Sequence, residues 1–202
     1  MSNRRLWTVS VFIAGALTIA LAQTSFNVEQ FRASASSLAA SARVQPSLSV
    51  AALTRLAPPE CNAQPRTVQG SSVEPTTGLP SLVSVVYGAD FTPQLRLKLS
   101  DAGNSPAVVR NSLFMVNANA TSSLLRLSPR DYASAVLELG AGVTGYAVED
   151  LRGGTSYLYA VVGGRFAIDL TFTQKRRGSA RFAEIQACLA QFDLAGMVAQ
   201  AR

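Results

Sequence analysis

The sequence predicts an α+β protein: an antiparallel sheet of about five strands with helices packed on one face, preceded by a helical or stalk-like N-terminal segment. Three observations lead there. Leu95, Leu97 and Leu99 alternate with Arg96, Lys98 and Ser100, the period of two expected of a strand with one wet face. Gly153-Gly154 and Gly163-Gly164 separate three apolar stretches rich in β-branched and aromatic residues, and paired glycines supply the positive φ angles of tight hairpins. Phe182, Ile185, Leu189 and Phe192 recur at helical spacing, so one face of a C-terminal helix must be buried. A sheet with helices segregated to one side is the α+β arrangement.

Residues 1–22 read as a signal peptide. Arg4 and Arg5 precede a mostly apolar run over 6–22, which closes on the small-x-small triplet Ala20-Leu21-Ala22. Cleavage there leaves Gln23 as the new N-terminus. The run is also at the lower limit for a membrane span, so an uncleaved anchor with its arginines on the cytoplasmic side is the competing reading. The chain is therefore expected to be exported, periplasmic or extracellular, or tethered through residues 6–22.

Residues 23–57 are rich in Ala and Ser, with a break at Pro46. Their few large apolar residues predict a stalk, or a helix that packs only against another molecule and can be removed from the fold. Residues 58–80 follow as a proline-rich extended linker, and 81–202 form the folded domain. Within it, strands are expected at Ser81–Tyr87 and through Leu95, Leu97 and Leu99. Ser105-Pro106 opens a helix over 107–118, with serine as cap and proline in the first turn. Ser128-Pro129-Arg130-Asp131 opens another, running through Tyr132, Ala135, Val136 and Leu139 to Gly140. Three strands follow over 145–151, 155–162 and 165–173, and Ser179 starts the final helix.

Two cysteines, Cys61 and Cys188, read as one disulfide in an oxidising compartment. Histidine is absent, which removes Ser-His-Asp and Cys-His nucleophiles and the usual zinc catalytic sites. No catalytic, cofactor-binding or metal-ligating residue is assigned. The net charge of +6 becomes +4 without Arg4 and Arg5. The single basic cluster, Lys175, Arg176 and Arg177 with Arg181 beyond it, is a candidate patch for an anionic partner or a membrane surface. Its plainer reading is a solvated turn. Nucleic acid fits poorly, because aromatic residues do not interleave with the basic ones.

Gly140-Ala141-Gly142-Val143-Thr144-Gly145 matches G-x-G-x-x-G, but a nucleotide loop needs a strand before it and a helix after it. A helix-to-strand connection is expected instead, and no nucleotide. Glu149-Asp150 is the only adjacent acidic pair, with Asp169 two strands on; neighbours in a strand face opposite ways. Tyr157 and Tyr159 share one strand face, and Phe166 and Phe172 share one on the neighbouring strand. Asn119-Ala120-Thr121 fits the glycosylation sequon. The expected function is a non-enzymatic protein of the cell envelope that serves as a protein-interaction or accessory subunit, its partner another envelope protein. The alternative is a carrier of a small apolar ligand or lipid in a cavity between sheet and helices, and a histidine-free hydrolase using carboxylates comes third.

Overall fold

The structure, a computed structural model, describes residues 27–75, 80–88, 95–103, 132–150, 153–173 and 183–202. The expected signal segment, the helix at 107–118, Ser128-Pro129-Arg130-Asp131, Asn119, the Lys175 cluster with Arg181, and Ser179 lie outside those residues.

The described residues form an antiparallel sheet with a few helices. It has eight strands where five were expected: β1 (Glu60–Cys61), β2 (Gln64–Val73), β3 (Ser81–Tyr87), β4 (Leu95–Asp101), β5 (Tyr132–Glu138), β6 (Val143–Asp150), β7 (Thr155–Val162) and β8 (Phe166–Thr173). The order is β1-β2-β3-β4-β8-β7-β6-β5. Two four-stranded meanders are thus joined where β4 pairs with β8, in register from Leu95↔Phe172 to Asp101↔Phe166. The strands at 81–87 and 95–101, and the three glycine-punctuated ones, stand where alternation placed them.

Two segments depart from expectation. Residues 64–73, read as linker, form β2, which pairs with β3 through two register shifts. Their polar composition and Pro65 suit a strand near the sheet edge, where a missing N–H is tolerated. Residues 132–138, read as a helix, form the edge strand β5, fully paired with β6. Cross-strand pairing overrides a spacing that fits both periods.

Helices cover both faces, not one. A first helix, α1 (27–41), lays Val28, Phe31, Ala35 and Ala39 against Ala102, Tyr146, Val148 and Val161. Phe31 is fully buried, its ring 5.9 Å from that of Tyr146, and Asn27 Nδ2 donates to the Ser134 carbonyl. The segment expected to be separable is therefore part of the core. Its alanines bring the helix close to the sheet; at Gly164, φ +71°, the turn passes directly against the Leu38 carbonyl at the helix end.

The other face carries α2 (Val50–Leu56), α3 (Ala183–Leu189) and α4 (Leu194–Ala201). Leu53, Ile185, Leu189, Met197 and Val198 pack there on Val83, Val85, Leu97, Leu99, Leu158, Ile168 and Leu170. Ser49 caps α2 by accepting from Ala52 N–H, Glu74 accepts from Val50 N–H, and Arg66 donates to the Thr54 and Ala57 carbonyls at the other end. The single C-terminal helix that was expected is two, because Asp193 caps a new start by accepting from Gly196 N–H. Cys61 on β1 is bonded to Cys188 on α3, 127 positions apart. Among the described residues no helix is long and apolar enough to cross a membrane.

Candidate functional site

The β7–β8 turn ends in Arg165, and β4 ends in Asp101, the neighbour of Arg165 across the sheet. Both are buried. Arg165 Nε donates to Asp101 Oδ1 and Nη2 to Oδ2, each at 2.7 Å. Nη1 also donates to Gln45 Oε1 and to the Gln200 carbonyl, and Nη2 to the Pro46 carbonyl. All five N–H donors of the guanidinium are used. Asp101 is equally committed: its carboxylate accepts from Leu48 N–H at 2.7 Å and Gly103 N–H at 2.9 Å as well. Arg165 further lies 5.0 Å over the Phe166 ring. The pair holds the chain between α1 and α2 and the end of α4 to the sheet.

Above this pair opens a cleft of about 730 Å³. Its walls come from the 43–56 stretch and the last turn of α4. Val44, Pro46, Leu48, Ala52, Leu56 and Ala199 supply apolar surface; Arg43, Arg55 and Arg202 supply guanidinium groups, and among the described residues no aspartate or glutamate side chain lines it. Arg43, Arg55 and Arg202 are exposed, and Val44 is 73% exposed. Among the described residues none of these three arginine side chains has an ion-pair partner, whereas Arg165 is paired with Asp101. Arg165 belongs to the floor but is neutralised by Asp101. The arrangement can receive an anionic group beside apolar surface.

Sequence reasoning missed this cleft. Arg43, Arg55, Arg165 and Arg202 are scattered along the chain, and only the return of α4 to the 43–49 stretch brings them together. Of the residues it singled out, Cys61 and Cys188 are bonded as expected. The glycine-rich stretch at 140–145 is a strand-to-strand turn between β5 and β6, with Gly140 and Gly142 at positive φ, rather than the helix-to-strand link expected. A strand precedes it, but β6 follows where a nucleotide loop needs a helix. Asp150 Oδ1 accepts from Gly153 N–H at 2.7 Å and so closes the β6–β7 turn. Glu149 and Asp169 lie on opposite faces of the sheet, since Glu149 pairs through Ser156 with the row of Phe172, whereas Asp169 pairs with Lys98 and Tyr159. Tyr157 and Tyr159 are half-buried on the face away from Phe166 and Phe172.

Two groups, the half-buried Asp169 and the fully buried Tyr87, show shifted protonation. Burial pushes the Asp169 carboxyl above its ordinary range, against the pull of Lys98 across the strand pair. Burial also raises the Tyr87 hydroxyl to about 12, against Arg66; that hydroxyl donates to the Pro58 carbonyl at 2.9 Å and ties β3 to the chain leaving α2. Among the described residues no three of Cys, Asp and Glu are grouped to hold a metal ion. No protein-family model, curated protein or solved structure matches the chain.

Proposed function

We propose that the chain is an exported, non-enzymatic protein of the cell envelope that works by binding a partner protein, as an interaction or accessory subunit. The Cys61–Cys188 disulfide carries this reading, because such bonds persist in oxidising compartments and are rare in the cytosol. The arginine start and short apolar run at 1–22 support the same destination. The arginine cleft offers a surface for docking. The carrier alternative has less support: between sheet and helices, Leu53, Leu97, Leu99, Leu158 and Leu170 are packed at no exposure. The hydrolase reading has less still, with Glu149 and Asp169 on opposite faces.

The test is the native chain expressed in cells, fractionated and weighed intact. The expected species starts at Gln23, is two hydrogens lighter than the reduced mass, and sits in the envelope or medium. A chain that keeps Met1, stays in the cytosol and takes an alkylating reagent on both thiols would overturn export. Partner binding is read by crosslinking the exported protein in intact cells. A species that remains free of crosslinks to any protein overturns that half of the proposal.

A further inference from the structure

We infer that the cleft takes an extended acidic segment of the partner protein, its carboxylates against Arg43, Arg55 and Arg202 and its apolar side chains against Val44, Leu48 and Leu56. This deepens the partner-binding reading and rests on it.

Three observations carry the assignment. The first is charge complementarity. Three guanidinium groups border one cleft, among the described residues no aspartate or glutamate side chain lines it, and the fourth arginine is already neutralised by Asp101. Guanidinium groups pair carboxylates through two parallel hydrogen bonds, which gives an acidic ligand geometry as well as charge. The second is the backbone. Arg43 N–H donates inward to the Ala201 carbonyl and Gln45 N–H to the Gly103 carbonyl. Val44 lies between them outside any helix or strand, and among the described residues its own N–H and carbonyl make no hydrogen bond. Such a stretch can pair with an incoming strand, whose main chain gives affinity while alternate side chains give specificity. The third is the mixture of surfaces. An apolar row beside the arginines suits a strand that presents acidic and apolar side chains by turns.

The experiment uses the full, oxidised chain and fluorescence anisotropy. The probe is a fluorescein-labelled peptide of alternating glutamate and leucine; its counterpart carries lysine for glutamate. The acidic peptide should bind and the lysine peptide should not. Raising salt from about 50 to about 500 mM should weaken binding steeply, since exposed charges are screened. Arg43→Glu and Arg55→Glu should each cost about tenfold in affinity, because each turns an attraction into a repulsion. Arg96→Glu changes the net charge equally but lies exposed on the sheet face away from α2, and should change affinity less than about twofold. Equal binding of the two peptides, an equal loss in Arg96→Glu, or capture by phosphatidylglycerol vesicles in place of the acidic peptide overturns the assignment. A failed peptide titration with a crosslinked partner still present in cells removes the cleft assignment alone; loss of the crosslink removes the broader reading.

Discussion

Arg165 holds both carboxylate oxygens of Asp101 at 2.7 Å while its remaining donors reach Gln45, Pro46 and Gln200. A buried ion pair is weak evidence for net stability, because desolvation offsets the attraction, but removing one partner strands the other charge. Arg165→Met should therefore destabilise by about 3–5 kcal/mol in urea titration. Adding Asp101→Asn to it should cost much less than the two single losses combined, as expected of residues that share one network. Additive losses would show that the two side chains act separately.

Phe31 tests whether α1 belongs to the fold. It is fully buried against Tyr146. Phe31→Ala should cost about 3–5 kcal/mol, the range for emptying an aromatic core site. Deleting residues 23–60, which also removes Leu53, should leave a chain without a cooperative unfolding transition. A deleted chain that still melts cooperatively would restore the separable-arm picture.

The sign of the Asp169 shift fixes a pH dependence. Its folded carboxyl is raised by burial, so its contribution to stability is fully present below the ordinary carboxylate range and is lost as pH rises through the raised value. Asp169→Asn removes that loss. The variant should be more stable than the native chain at pH 7, and the gain should fade as pH drops below about 3.9. Urea midpoints at both pH values decide it; a gain that is larger in acid contradicts the burial argument.

The β1–β2 turn offers a stabilising change. Asn62 and Ala63 both have positive φ, 53° and 57°, as a two-residue mirror-image turn requires. An alanine Cβ is disfavoured there by about 1 kcal/mol. Ala63→Gly should raise stability by about 0.5–1 kcal/mol in thermal or urea unfolding. Unchanged or lowered stability would mean that the chain relaxes this turn.

Those particular residues also show what the sequence alone makes legible. Strands β3, β4, β6, β7 and β8 carry their alternation or their glycine turns openly. Strand β5 does not: Tyr132, Ala135, Val136 and Leu139 fit a helix, while Ala135 and Leu137 fit a strand, and only the presence of β6 chooses between them. In α1 half of the buried stripe is alanine, Ala35 and Ala39, whose small surface reads as a weak core until the sheet beneath it is known. Long-range association is also what creates the cleft, since Arg43 and Arg202 are adjacent only after the chain has closed on itself.

The Cys61–Cys188 bond makes the middle of this protein a covalent ring with two free tails. One tail runs from 60 back toward the N-terminus, the other from 189 to 202. Both come back to a single hasp, Arg165, which grips Gln45 and Pro46 on one tail and Gln200 on the other. The cleft is the gap between those tails. Each tail also carries core side chains, Leu53 on one and Met197 on the other, so widening the cleft means pulling on the same core that covers the sheet.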